Sequence, residues 1–93
     1  MPRKPLPRSM IVRYRGEPWR LDLVKCRRAL VYRQVEGKFH RIDELASSID
    51  ASRSTASRFF SGRGSSLTVT LRVLDALGLK FNEVAVPVDE DGA

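Results

Sequence analysis

The chain has 93 residues, 42% of them hydrophobic, and carries a formal net charge of +6 at pH 7. This length and composition indicate one small globular domain and exclude an intrinsically disordered chain. The single cysteine, Cys26, excludes an internal disulfide framework and a zinc site with several cysteine ligands. Because charged residues interrupt every hydrophobic stretch, we expect no signal peptide, no membrane-spanning segment and a cytoplasmic location.

The positive charge is concentrated in the first half of the sequence. Residues 1–41 contain 12 Lys and Arg against 3 Asp and Glu, whereas residues 42–93 contain 5 against 8. A basic excess of this kind favours a polyanionic partner such as nucleic acid, whose phosphates it would contact. The alternative is a solvated, charge-rich amino-terminal segment.

The first eighteen residues are predicted to form a basic, proline-rich arm that ends in a short strand. Residues 1–9 contain three prolines and cannot form a helix. Residues 10–14 are β-prone, and a matching segment occurs at residues 84–88. We expect these two short strands to pair with each other or across a dimer, with Pro87 at an edge position.

Residues 19–35 are predicted to form the first helix. Pro18 suits its first turn, and Gly37 provides the stop. Helical spacing combines five apolar side chains into one predicted buried stripe, namely Leu21, Val24, Leu30, Val31 and Val35.

The next two predicted helices are separated by a very short turn. Residues 42–49 place apolar side chains at i, i+3, i+4 and i+7, which forms one buried face. Asp50 tolerates the left-handed backbone conformation that such a turn needs. Ser52 is a good N-cap for the second helix, which runs to about residue 61. Its outer face is polar, rich in hydrogen-bond donors and free of carboxylates, as is typical of a helix that enters the major groove of DNA.

A last helix is predicted over residues 67–77. Ser66 caps its start, and Gly78 ends it. Its leucines recur at helical spacing, so we expect Leu67, Leu71, Leu74 and Leu77 to face the core.

Four short segments, taken in order and spacing, resemble the Cro and phage-repressor type of helix-turn-helix domain, an XRE-like family. They are residues 43–46, 52–58, 66–67 and 76–79. The resemblance covers about residues 24–80 and implies a compact domain of four or five helices that binds operator DNA, commonly as a dimer. Residues 52–63 are also similar to the recognition helix of lac-repressor-type regulators.

Three features depart from the family pattern. Asp50 stands at the turn position that usually holds glycine, and the loop at residues 36–41 is longer than usual. Where the family often has Thr-Gln, with the Gln on a phosphate, this chain has Arg41 followed by Ile42. The phosphate contact is therefore expected to pass to Arg41.

The resemblance implies that Arg53, Ser54, Ser57 and Arg58 face the bases. An arginine there can present two parallel donors to O6 and N7 of guanine, which contributes roughly 1–3 kcal/mol of base discrimination. Side chains and helix starts around them would contact phosphates. The expected DNA-binding residues are Arg41, Ser52, Arg53, Ser54, Thr55, Ser57, Arg58, Arg63 and Ser66. The alternative is that they form a solvated helix face.

The sequence offers little for catalysis. His40 is the only histidine and Cys26 the only cysteine, so no set of nucleophile, base and orienting acid can be assembled. The glycines around Arg63 lack the spacing of a nucleotide-binding loop, and the acidic residues 89–91 lack the spacing of a calcium loop. We expect no enzymatic activity, no cofactor and no metal.

The predicted fold is mainly all-α, with four to five helices and a short pairing of the terminal segments. Its expected parts are an arm and strand at residues 1–18, the helix-turn-helix domain at residues 19–80, and a strand and acidic tail at residues 81–93.

The predicted function is a sequence-specific regulator of transcription, such as a repressor, that binds double-stranded DNA in the nucleoid as a homodimer on a palindromic site. Two alternatives stay open. One is an antitoxin-like or phage accessory module that docks a protein partner through its carboxy-terminal strand or tail, and the other is a non-specific nucleic-acid-coating protein.

Overall fold

In the computed structural model, which describes residues 5–88, one antiparallel sheet packs with five helices. In chain order the elements are β1 (Ser9–Tyr14), β2 (Glu17–Asp22), α1 (Leu23–Val35), α2 (Ile42–Ser48), α3 (Arg53–Ser61), α4 (Leu67–Leu77), α5 (Phe81–Val84) and β3 (Ala85–Pro87). The fold is therefore mixed α/β, and the prediction of a mainly all-α fold is wrong. The predicted acidic tail and the first four residues of the predicted arm lie outside the described residues.

The strand β2 accounts for most of this correction, because residues 19–22 are strand rather than helix. The turn between β1 and β2 has only two residues, Arg15 and Gly16, with φ of 54° and 80°. Positive φ at both positions matches the right-handed twist of a hairpin, so the chain reverses there and the second strand starts at Glu17. Leu21 lies opposite Met10 in this pairing and is fully buried.

The two terminal strands do not pair with each other, which corrects that prediction as well. The strand order is β1-β2-β3, with both pairs antiparallel, so β2 separates them. Ala85 lies opposite Leu21, and Pro87 lies opposite Trp19. Pro87 lies on an edge strand, as expected, because a proline cannot donate a hydrogen bond to a further strand.

The helix α1 starts later than predicted and buries a different face. Asp22 is its N-cap, and the Asp22 side chain accepts a hydrogen bond from the backbone N–H of Lys25. Leu23 and Cys26 are the buried residues of α1. Val31 and Val35, which were predicted to be buried, are 56% and 80% exposed. The predicted stripe was wrong because it included Leu21, which belongs to β2, and this fixed the orientation of the helix incorrectly.

The helices α2, α3 and α4 confirm the predicted positions closely. The hydroxyl of Ser52 accepts a hydrogen bond from the backbone N–H of Thr55, and the hydroxyl of Ser66 accepts one from Val69, both at 3.1 Å. Serine caps of this kind satisfy N–H groups that the first turn leaves without a helical partner. Leu71 is an exception to the predicted inner face of α4, since it is 40% exposed.

Each of the helices α1 to α4 ends in the same hydrogen-bond pattern, a Schellman motif. In each of them one residue at the end of the helix adopts positive φ, while two backbone N–H groups bond back into the last turn. At the end of α2 these bonds run from Asp50 to Ser47 (3.2 Å) and from Ala51 to Ala46 (2.9 Å). The left-handed residues are Gly37, Asp50, Gly62 and Gly78. The prediction that Asp50 adopts this conformation is confirmed, with φ of 60°.

A single hydrophobic core joins the sheet to the helices. Its largest fully buried side chains include Phe59 of α3, Leu45 of α2 and Leu74 of α4, together with Leu21 and Leu23 at the junction of β2 and α1. Burial of this kind contributes roughly 1.5–3 kcal/mol for each large apolar side chain. Within the part of the chain that the structure describes, no helix is long and apolar enough to cross a membrane.

Candidate nucleic-acid interface

The helices α2 and α3 are joined by a tight turn at residues 49–52. Asp50 reverses the chain with its left-handed backbone, and Ser52 then adopts an extended conformation before α3 begins. Ala56 and Phe59 of α3 are fully buried, and Phe60 is 7% exposed. The rings of Phe59 and Phe60 meet edge to face with their centroids 5.1 Å apart. These contacts fix which face of α3 points outward.

The outward face of α3 carries four of the predicted DNA-binding residues. Arg53, Ser54, Ser57 and Arg58 are all exposed. The sequence of α3 contains no carboxylate, so its own side chains provide hydroxyls and guanidinium groups to this surface. Because residues four positions apart lie on the same face of a helix, Arg53 and Ser57 are neighbours on this surface, as are Ser54 and Arg58.

Arg53 also contacts Asp43, which is not among the predicted DNA-binding residues. Its Nε lies 3.0 Å from Oδ1 of Asp43, in the first turn of α2. The two side chains are 74% and 49% exposed, so the ion pair lies in solvent. The sequence does place opposite charges in the first turns of two consecutive helices, which is a signal for such an ion pair. The sequence pattern does not give the angle between the two helices, and the contact depends on that angle.

Two of the predicted residues are partly occupied by contacts within the chain. The hydroxyls of Ser52 and Thr55 lie 2.8 Å apart, and Ser52 also accepts the N–H of Thr55. Thr55 is half-buried. These two side chains therefore serve first to begin α3, and they are less free than Ser54 and Ser57 to read a base.

A shallow cleft brings three predicted residues together beside the start of α4. It measures about 410 Å³ and is lined by Thr55, Arg58, Gly64, Ser65, Ser66 and Val69. The first turn of an α-helix exposes N–H groups and the positive end of the helix dipole, which favours an anion. The guanidinium group of Arg58 adds a full positive charge at the same place.

The remaining two predicted residues lie at the ends of these elements. Arg41 occupies the N-cap position of α2 without a capping bond from its side chain, and Arg63 lies in the loop after α3. Both are exposed. The amino-terminal segment also reaches this region, because a Cβ atom placed on Gly62 would lie 2.9 Å from Cβ of Pro7.

Part of the basic excess lies at a second surface, which holds none of the predicted DNA-binding residues. A cleft of about 480 Å³ between α1, α5 and the sheet is lined by Arg8, Arg20, Lys25 and Arg28, among other residues. Two carboxylates also line it, those of Asp22 and Glu83, and both accept helix-capping N–H bonds.

The described residues contain no cluster of three or more histidine, cysteine, aspartate or glutamate side chains that could hold a metal. The pKa of the Cys26 thiol is raised to about 12, mainly by burial; the charge of Asp22 contributes to this rise and that of Arg27 opposes it. The thiol is therefore protonated near neutral pH and is a poor nucleophile or metal ligand.

No protein-family model, curated protein or solved structure matches this chain. The assignment of a function therefore depends on the geometry of the chain's own residues.

Proposed function

We propose that the chain binds double-stranded DNA sequence-specifically, with α3 in the major groove, and regulates transcription by occupying its site. The observation that carries the proposal is the outward face of α3. It presents Arg53, Ser54, Ser57 and Arg58 to solvent, while Phe59 holds the opposite face in the core. A rigidly held helix with exposed donors and no carboxylate of its own suits the acceptor-rich edges of bases in the major groove.

Phosphate contacts would flank the bases read by α3. The cleft beside the start of α4 combines the charge of Arg58 with helix N–H groups, and Arg63 follows in the adjoining loop. Contacts of this type set the position of a protein on the duplex without reading sequence. Arg41, at the start of α2, would provide a further phosphate contact.

Selection of bound duplexes tests the proposal. The protein is incubated with a pool containing about 30 random base pairs at about 150 mM salt, because non-specific binding weakens as salt rises. We expect one motif to be enriched. Recovery of no preferred sequence would contradict the proposal and would favour non-specific coating or the docking of a protein partner.

A pair of double variants links the enriched motif to α3. Arg53→Ala/Arg58→Ala removes two charges from α3, and Arg13→Ala/Arg20→Ala removes two exposed charges from the sheet. Both variants should lose affinity for all DNA because each loses two cations. Only the α3 variant should lose the preference for the motif, and retention of that preference would refute a reading role for α3.

Homodimerisation is a separate part of the proposal. Val31, Tyr32 and Val35 are adjacent on α1 and are 56%, 70% and 80% exposed, so burial against a second copy would add hydrophobic stabilisation to a small core. A two-fold dimer would place two α3 helices about 34 Å apart on an inverted repeat. Sedimentation at tens of micromolar should give a dimer that Val35→Glu dissociates. A monomeric parent protein would contradict the dimer.

Val86, which is 59% exposed on the edge strand β3, favours one second candidate function, the docking of a different protein through the carboxy-terminal strand or tail. Deletion of residues 82–93 would remove β3 and disturb the sheet, whereas deletion of residues 89–93 leaves β3 intact. DNA affinity and motif preference should survive the shorter deletion if the acidic tail serves only a partner. Their loss would give the tail a role in DNA binding instead.

A further inference from the structure

The geometry points to Asp43 as a positioning residue that directs Arg53 towards guanine, so that the preferred DNA site holds a G·C pair opposite the first turn of α3. The inference rests on the proposed function. Asp43 is expected to lower the affinity for DNA and, at the same time, to raise the preference for guanine. A residue that acted only through its charge would lower the affinity without changing the preference.

Asp43 and Arg53 belong to different helices, which the turn at Asp50 holds together. Asp43 lies in the first turn of α2, and Arg53 is the first residue of α3. The Schellman bonds at the end of α2 fix the path between the helices. The ion pair therefore joins two backbone positions whose separation is set by the fold, and it restrains a side chain that is otherwise 74% exposed.

The atom that makes the closest contact decides which edge of the guanidinium group is available. A guanidinium group has a side edge that includes Nε and an end edge formed by Nη1 and Nη2. In Arg53 the contact with the Asp43 carboxylate is made by Nε, 3.0 Å from Oδ1, as an ion pair without an aligned hydrogen bond. The end edge keeps two parallel donors. O6 and N7 of guanine are two adjacent acceptors in the major groove, and they match this fork better than any other base does.

The other acidic side chain at the start of α2 does not share this role. Glu44 accepts a hydrogen bond from the backbone N–H of His40 at 3.0 Å, which occupies it at the entry to its own helix. Among the described residues, Arg53 forms its ion pair with Asp43 and not with Glu44. Glu44 and Asp43 are both exposed in the same helical turn, so Glu44 provides a matched control.

Asp43 should lower affinity for DNA in general and raise the preference for guanine. A carboxylate beside the groove repels phosphates whatever the sequence is. The same carboxylate orders Arg53 before binding, which reduces the conformational freedom that the side chain loses when it meets a base. Such an exchange of affinity for discrimination is a common route to specificity.

The experiment compares the parent protein with Asp43→Asn, Glu44→Gln, Arg53→Ala and Asp43→Asn/Arg53→Ala. Binding is measured to the selected duplex and to duplexes in which each G·C pair is replaced in turn by A·T. The base pair read by Arg53 is the one at which Arg53→Ala abolishes discrimination. Urea denaturation confirms that each variant is folded.

We expect Asp43→Asn and Glu44→Gln to bind all duplexes more tightly by similar factors, because each loses one negative charge. Only Asp43→Asn should also lose preference at the Arg53 base pair, by about two- to fivefold, as expected for an exposed ion pair. In the Arg53→Ala background, Asp43→Asn should have no effect on preference, because the side chain that it positions is absent.

Unchanged preference in Asp43→Asn would overturn the inference while leaving the proposed function intact. An increase in preference would also overturn it, because it would mean that Asp43 holds Arg53 away from the base. Failure of the proposed function has a different signature, since the parent protein itself would then prefer no duplex, and both proposals would fall.

Discussion

The backbone at Asp50 provides a direct test of how the turn between α2 and α3 is stabilised. Four helices end in Schellman motifs, and three of them place glycine at the left-handed position. Asp50 is the exception, with φ of 60°. Its side chain is exposed, and within residues 5–88 it forms no ion pair. Substitutions there should therefore change the free energy of unfolding mainly through the backbone and through the charge.

Three uncharged variants separate these two effects. Left-handed backbone costs an ordinary side chain about 1 kcal/mol more than glycine, and asparagine tolerates it better than alanine. We therefore expect stability to decrease in the order Asp50→Gly, Asp50→Asn, Asp50→Ala, with about 1 kcal/mol between the first and the last. A carboxylate at the negative end of the α2 dipole is unfavourable, so Asp50→Asn should be more stable than the parent by roughly 0.3–1 kcal/mol.

Urea denaturation followed by far-ultraviolet circular dichroism measures these differences, with the slope m checked for constancy. In a domain of this size about 1 kcal/mol shifts Tm by roughly 4–8 °C, so the order is resolvable. Equal stability of Asp50→Ala and Asp50→Gly would refute the backbone argument. Equal stability of Asp50→Asn and the parent would refute the dipole argument alone.

Three further predictions concern the core, the support of α3 and the thiol. Leu21→Ala should cost about 2–5 kcal/mol in thermal denaturation, because Leu21 is fully buried on β2. A loss below about 0.5 kcal/mol, as at an exposed site, would contradict the burial of this side chain. Arg27→Ala should cost roughly 1.5–3 kcal/mol of unfolding free energy, because Nε of Arg27 donates to a backbone carbonyl of α3 at 2.9 Å. The control Arg28→Ala, at an exposed neighbour, should be close to neutral. Equal losses in the two variants would contradict the role of that bond. Burial raises the pKa of Cys26 from 9.0 to about 12, so the stability that depends on the protonated thiol is fully present below pH 9 and decreases as pH rises towards 12. Cys26→Ala should remove that part of the alkaline decline in urea midpoints, and identical declines in both proteins would refute it.

The helices α2, α3 and α4 could be predicted because their signals are local. The caps Ser52 and Ser66 bond to N–H groups three residues away, and Gly78 allows the left-handed turn that ends α4. The outward face of α3 follows from the same short-range periodicity, with Phe59 on its inner side. Interactions within four residues are present in any sequence window that contains both partners, so pattern analysis finds them.

The strand β2 was missed because its local spacing is ambiguous. Trp19 and Leu21 alternate with charged residues, as in a strand, but Leu21 also lies three residues before Val24, as in a helix. The decision comes from pairing with β1 across a two-residue turn and with β3 from the other end of the chain. The contact of Arg53 with Asp43 has the same character, since it depends on the angle between two helices.

The basic composition has a second use, because three arginines act as caps for helix C-termini. Each donates to a carbonyl at the end of a helix to which it does not belong, where the helix dipole leaves partial negative charge. The three contacts are Arg72 to Ile49 at the end of α2 (3.4 Å), Arg27 to Phe60 in the last turn of α3 (2.9 Å) and Arg33 to Leu77 at the end of α4 (3.2 Å). The net charge of +6 therefore overstates the charge available to a polyanion. One of these contacts and an ion pair hold the two ends of α3: Arg27 joins its last turn to α1, and Asp43 of α2 meets its first residue. A helix held at both ends would lose less freedom on binding, as the proposed reading of bases by its exposed side chains requires.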